Sequence, residues 1–307
     1  MLPAETILLA GPTGAGKTDL SLQLAGHLDG EIVGADAFQI YRGLPILTAQ
    51  PWPSSRGAIP HHLIGTVDPA EAYDAGRYLR EALPIIRDIA VRGKRPVVVG
   101  GTGLYFKALL GGLHDLPKGD PVLRAELQSS SLQDLTARLQ SIDPAAISSI
   151  DLANRRRVER ALEIVLLTGK PLDDSRKSST PAQPNVATLL ITRNREELGV
   201  RIAANVRAMF DQGVENEVAE VTALTDDYVG PTASMTLGLR EVRALLRGET
   251  TTEEAIASIV SATQKYAKRQ LTWFRNQHTF PELNLSLYSD PKEAFAQALQ
   301  LLASRGS

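Results

Sequence analysis

The chain has 307 residues, 43% of them apolar and 22% charged, with a formal net charge of −2. Such values describe a globular chain able to bury a sizeable core, with about two domains at roughly 150 residues each. The absence of cysteine excludes disulfides, thiolate metal sites and cysteine nucleophiles, and no stretch approaches the ~18 apolar residues of a membrane span. A leader with a basic segment, apolar core and cleavage site is not legible at the N-terminus. The expectation is a cytoplasmic monomer with no membrane partner.

Residues 6–10 form an apolar run of strand length, and Leu20, Leu24 and Leu28 follow at helical spacing. Between them, Gly11-Pro12-Thr13-Gly14-Ala15-Gly16-Lys17-Thr18 reads G-x-x-x-x-G-K-S/T, the phosphate-cradling loop. Its glycines let backbone N–H groups turn around phosphate oxygens, and the helix start adds a partial positive charge. Lys17 supplies a full charge, and Thr18 offers a hydroxyl to a Mg²⁺ bridging the phosphates. A nucleoside triphosphate and any diphosphate ester fit this cradle equally.

Residues 31–35 read as a second strand, with Asp36 just past it. In an open parallel sheet that position faces the ligand crevice. The stretch 44–60, rich in Pro, Ser and Gly, reads as a loop. The adjacent His61 and His62 lack a third ligand at metal-binding spacing. A helix is expected over 75–91, with Tyr78, Leu79, Ala82, Ile85, Ile86 and Ile89 on its apolar face. Residues 95–99 form a third strand, apolar enough to be central, ending in Gly100-Gly101-Thr102-Gly103. A plain ATPase would place a metal-holding Asp there. Thr102 offers a hydroxyl instead, either to the crevice or as a helix cap.

From about 115 to 174 the chain reads as all-helical, with helices starting at Asp120-Pro121 and over 132–139. Four arginines crowd residues 154–160, at the start of a helix running to Leu167. They read either as a solvated face or as phosphate-backbone contacts. Residues 174–184 form a connector. Residues 185–191 return the chain to the sheet as a fourth strand, followed by helices over 196–213 and on to Leu224. A long helix over 252–275 carries Lys265, Lys268, Arg269 and Arg275, with Trp273 and Phe274 interleaved. A short strand over 283–288 and a helix over 291–302 end the series. The fold expected is α/β: a P-loop NTPase-like parallel sheet flanked by helices, built from residues 1–114 and 185–307, with an all-helical domain inserted over 115–184.

These blocks occur in an order that resembles the tRNA dimethylallyltransferases, also called tRNA isopentenyltransferases. The resemblance covers about residues 6–277. It rests on the loop at 11–18, the blocks at 36–44, 60–65 and 97–110, the arginine run at 155–163, Gly238-Leu239-Arg240-Glu241-Val242, and residues 266–275. It implies transfer of a dimethylallyl group from dimethylallyl diphosphate to the N6 amine of the adenosine 3′ of the anticodon. The cradle and Arg201 then hold the donor's diphosphate, with Mg²⁺ at Thr18. Lys17 stabilises the leaving charge, Asp36 acts as general base, and Thr102 orients the amine or a phosphate.

By the same match Asp36, Ala37, Phe38, Gln39 and Thr102 lie beside a flipped-out base. Arg124, Arg156, Arg157, Arg160, Gly238, Arg240, Lys268, Arg269 and Arg275 face the anticodon stem-loop. Ala37 stands where the family has Ser, and Asn205 where it has Arg. Zero cysteine implies the bacterial type, without a zinc finger. An adenylate dimethylallyltransferase and a P-loop small-molecule kinase share the loop and are the alternatives; the arginine-rich insert favours tRNA over a free nucleotide.

Overall fold

In the computed structural model the described residues are all except 52–56, 113–116, 118, 177–184, 226–227 and 304–307. Six strands form one sheet: β1 (Ile7–Ala10), β2 (Gly30–Gly34), β3 (His61–His62), β4 (Arg95–Gly100), β5 (Ala187–Thr192) and β6 (Glu282–Asn284). Their order is β3-β2-β4-β1-β5-β6, and every pairing is parallel. A parallel sheet needs helical crossovers that cover both faces, which is why β1 and residues 97–99 of β4 read as continuous apolar runs. In β2 the buried Glu31 interrupts the run and is paired with Arg92 and His62.

Successive strand residues enter different cores because a strand alternates faces. Leu8, Val33, Val98 and Leu190 pack on one side, against α2 (Ala75–Val91) and α9 (Arg195–Asp211). Ile7, Leu9, Ile32, Val97 and Leu189 pack on the other, against α1 (Lys17–His27) and α13 (Pro291–Ala303). Asp74 caps α2 by accepting from the Arg77 N–H. Thr251 and Glu254 form a capping box at the start of α12 (Thr252–Gln277). Between α9 and α12 lie α10 (Val214–Leu224) and α11 (Leu239–Leu246).

The chain divides into two compact units, residues 1–110 with 184–307 and residues 111–183. The first holds the sheet, with α3 (Gly103–Gly111) running to its boundary. The second contains α4 (Pro121–Ser129), α5 (Leu132–Ile142), α6 (Ala146–Ser149), α7 (Arg155–Thr168) and α8 (Leu172–Arg176). Leu127, Leu135, Leu139, Val158, Leu162 and Leu172 form its own core.

Local structure adds to or departs from the sequence reading in four places. His61 and His62, which the sequence left unassigned, are strand and extend the sheet edge beside Ile32 and Val33. The turn α6 was not read from the sequence; the buried Asp143 accepts from the Ala146 and Leu172 N–H groups and holds both short elements. The connector begins as helix α8, and its remainder, 177–184, lies outside the described residues, as do 52–56 of the 44–60 loop. The last strand stops at Asn284, whose side chain accepts from the Ser286 N–H and bends residues Leu285–Leu287 into a 3₁₀ turn.

The sheet leaves no room at Gly100: a Cβ there would lie 2.0 Å from the Ala35 carbonyl oxygen. Gly100→Ala should therefore cost about 1–3 kcal/mol or more of stability, read as a lowered thermal midpoint. An unchanged midpoint would contradict this packing.

Candidate active site

One open cleft in the sheet-containing unit is lined by Thr13, Gly14, Gly16, Lys17 and Thr18, by Asp36, Phe38 and Gln39, and by Arg201, Asn205 and Tyr266. Leu47, Ile202, Val206, Met209 and Ile259 give it an apolar stretch. It opens at the carboxyl ends of β1, β2 and β4, where parallel sheets bind ligands.

The phosphate loop is shaped by its glycines. Gly14 and Gly16 have φ of 78° and 96°, and Gly16 caps α1 in the left-handed conformation. Two arginines from outside the loop hold its carbonyls. Arg201 Nε donates to the Gly14 oxygen at 3.1 Å, and Arg193 Nε to the Ala15 oxygen at 3.0 Å. Because the peptide is planar and trans, the Gly16 N–H points opposite to the Ala15 carbonyl. The first N–H groups of α1 have no intrahelical partner.

Lys17 Nζ donates to the Pro12 carbonyl at 2.8 Å. Burial pushes its pKa down to about 8, and the Asp36 carboxylate offsets part of that fall. A lysine in this condition gains from an anion beside it.

Asp36 turns on its own backbone: Oδ1 accepts from the Phe38 N–H at 2.9 Å and the Gln39 N–H at 3.3 Å. Thr102 Oγ1 accepts from the Ala37 N–H at 2.9 Å, across from the next strand. The hydroxyl thus braces the Asp36 turn. The half-buried Gln39 amide donates to the Thr48 and Ala49 carbonyls at 3.2 and 2.9 Å.

Four contributors were not singled out from the sequence. Arg193 shapes the loop and is itself paired with Glu197. Tyr266 lines the cleft from α12, its ring 5.9 Å from that of Phe38; burial and the Asp36 charge raise its pKa. Gln270, one turn further along α12, contacts the phosphate loop. Buried Glu217 accepts from the Ile46 and Leu47 N–H groups at 2.7 and 2.8 Å, fixing the wall that carries Leu47. Burial pushes its pKa up, and those two N–H groups hold it back. Only Tyr266 and Gln270 had a signal, as members of the block at residues 266–275.

The arginines sort differently from the sequence reading. Arg124 donates to Glu163 at 2.8 and 3.2 Å, and Arg160 pairs with the same carboxylate at 2.5 Å. Glu163 is buried, so two cations offset one desolvated charge. Arg155 closes onto Glu159 and three backbone carbonyls. Arg156 and Arg157 stand exposed on α7. In the other unit Arg275 is bidentate to Glu282, both contacts at 2.8 Å, and Arg240 pairs with Glu241. Lys268 and Arg269 are exposed, and Arg269 lies over the Tyr266 ring at 5.7 Å. Gly238, at φ 90°, starts α11 and packs against Leu47 and Ile259. Arg207 is exposed and outside the cleft lining, so Arg201 is the cation that α9 directs to the loop. His62 is spent on Glu31 at 2.8 Å, beside Arg92.

Among the described residues no cluster of three His, Asp or Glu side chains forms a metal cage. Among the described residues no helix is long and apolar enough to cross a membrane.

Known proteins resemble this chain in sequence and fold. The IPP transferase family model matches residues 39–277. The chain is 42% identical over 291 residues to a tRNA dimethylallyltransferase of Akkermansia muciniphila, covering 94% of this chain and 96% of that protein. It is 40% identical over 279 residues to one from Methylococcus capsulatus, covering 88% and 89%. The crystal structure of a full-length tRNA isopentenylpyrophosphate transferase from Bacillus halodurans superposes with a TM-score of 0.71 at 33% identity, covering 99% of this chain and 97% of that one. A eukaryotic dimethylallyltransferase acting on tRNA superposes with a TM-score of 0.82 at 27% identity, covering 98% and 80%. Glycine-rich loop, Asp36 turn, parallel sheet and this likeness along nearly the whole chain agree: the protein belongs to the IPP transferase family.

Proposed function

We propose that this chain transfers a dimethylallyl group from dimethylallyl diphosphate to the N6 amine of the adenosine 3′ of a tRNA anticodon. One observation carries the reading: Lys17, whose ammonium meets a backbone carbonyl, shares a single cleft with the Asp36 carboxylate. A cation able to receive a leaving diphosphate and a base able to receive a proton thus face one space. The apolar stretch of the cleft suits a five-carbon chain.

The allylic carbon–oxygen bond breaks and diphosphate departs. Lys17 and the N–H groups at the start of α1 stabilise the charge it carries away. The carbon bonds to N6, and the N6 proton passes to Asp36. Thr102 keeps Asp36 on station through the Ala37 N–H, and Phe38 with Tyr266 offers aromatic surface for an adenine swung out of its stack. The donor set fits Mg²⁺ held chiefly by the ligand's own oxygens: Thr18 lines the cleft with Asp19 and Asp36, and among the described residues no group of three carboxylates or histidines forms a cage. When bound, the ion would neutralise diphosphate charge. The sheet unit and the helical insert are proposed to act together on tRNA as a cytoplasmic monomer.

The test incubates the protein with dimethylallyl diphosphate, Mg²⁺ and either unmodified tRNA or AMP, followed by mass spectrometry. Prenylated adenosine in tRNA supports the reading. Prenylated AMP alone would indicate an adenylate prenyltransferase, and phosphoryl transfer in a parallel incubation with ATP and AMP a kinase.

Exposed Arg157 is the cleaner probe of RNA contact, because Arg160 is committed to Glu163. Arg157→Glu should weaken tRNA binding and flatten the slope of log K against log salt by about 0.7–0.9, one phosphate contact. An unchanged slope returns Arg157 to a solvated helix face.

A further inference from the structure

We propose that Gln270 is a positioning residue for prenyl transfer, holding the phosphate loop in register with the turn that carries Asp36. This rests on the functional reading above.

Gln270 is buried, 6% exposed, on the face of α12 that meets the sheet. Its Oε1 accepts from the Thr13 N–H at 2.9 Å, and its Nε2 donates to the Gly101 carbonyl at 2.9 Å. The two partners belong to loops leaving adjacent strands, since Ala10 at the end of β1 pairs with Gly100 at the end of β4. One amide therefore ties the diphosphate side of the cleft to the Gly101-Thr102 segment. Thr102 in turn accepts from Ala37 and so holds Asp36. The path from Thr13 to Asp36 runs through Gln270, Gly101, Thr102 and Ala37, with three hydrogen bonds of 2.9 Å joined by two steps along the chain.

The chemistry of the position is narrow. It needs one acceptor and one donor on a single planar group. An ionised carboxylate would set an acceptor against the Gly101 carbonyl, and an apolar side chain would leave both backbone groups unpaired. The glycines of the turn agree with this docking. A Cβ on Gly101 would lie 2.2 Å from Gln270 Nε2, and one on Gly103 would lie 2.1 Å from the Trp273 ring. Residues 270 and 273 share a helix face, so both glycines are bare where α12 sits down. Tyr266, a turn earlier on α12, lines the cleft itself.

A registry shift of about 1 Å costs on the order of 100-fold in rate. Gln270→Met should lower kcat for prenyl transfer ten- to hundred-fold while tRNA KM stays within two-fold. Gln270→Glu supplies a readout that a purely structural amide would not. When protonated, its carboxyl again presents one acceptor and one donor, so its kcat relative to the wild type should climb as pH falls from 8 to 5.5. Gly101→Ala should reproduce the Gln270→Met loss, and combining the two should add little, because both break one contact. Thermal midpoints and inorganic diphosphate affinity, measured on each full-length variant, report whether the fold and the cradle survive. Wild-type kcat in folded Gln270→Met, or a pH-independent ratio for Gln270→Glu, overturns the inference alone. A wild type that transfers no prenyl group to tRNA fails the functional reading and this inference with it.

Discussion

Asp36→Asn should reduce prenyl transfer to tRNA by about 10²–10⁴-fold, the usual contribution of a positioned general base, with tRNA and donor affinities changed less than two-fold. Asparagine is the informative substitution. Its side-chain oxygen still accepts from the Phe38 and Gln39 N–H groups that Asp36 Oδ1 engages, so the turn survives while the proton acceptor is lost. Alanine would remove the turn as well, and a loss of rate would then have two explanations. The measurement is single-turnover formation of prenylated adenosine by quenched mass spectrometry. Near-wild-type turnover in Asp36→Asn would remove Asp36 as the base.

Lys17→Met should lower the transfer rate by about 10²–10³-fold, the scale of losing one donor to a developing oxyanion, and should weaken donor binding too. The same change should make the unliganded protein more stable at pH 7. Burial holds the folded-state pKa of Lys17 at about 8, below its ordinary 10.5. A depressed lysine penalises the fold fully below pH 8, where both folded and unfolded chains are protonated. The penalty fades as pH rises from about 8 towards 10.5, where the unfolded chain binds more protons than the folded one. Methionine carries no such penalty. In the proposed function Lys17 trades stability for function, a familiar condition of active sites. Diphosphate binding favours the charged lysine, so affinity should fall as pH rises past about 8. Binding above that pH should take up a proton, visible by calorimetry in buffers of different ionisation enthalpy. A Lys17→Met protein less stable than the wild type at pH 7, or a pH-independent affinity, would contradict this picture.

The arginines show where linear reading loses its grip. Residues 154–160 look like a uniform basic cluster, yet Arg155 and Arg160 are committed within the helical unit. Arg124, 39 positions before Glu163, joins Arg160 on that carboxylate. No local spacing links those positions, because the pairing exists only once α4 lies against α7. Arg275 is occupied by Glu282 for the same reason. Thr102 is a second instance. A hydroxyl at a strand end invites a capping role, but its bond is to the Ala37 N–H, 65 residues away. Both cases turn on which groups remain after long-range packing has claimed its partners.

The local signals held where geometry leaves one solution. A phosphate loop needs left-handed backbone at its glycines and a helix start behind it, and both requirements are written into residues 11–18 as types and spacings. The buried parallel sheet is written into runs of apolar residues that no other packing would hide. Family membership followed from several such blocks in order. Partnership is another matter. That Arg193 and Arg201 grip the cradle's carbonyls, that Glu217 braces the cleft wall, and that Gln270 spans two strand ends depends on side chains meeting from distant positions. Backbone conformation is a local property, encoded residue by residue; hydrogen-bond partners are assigned only when the chain closes on itself.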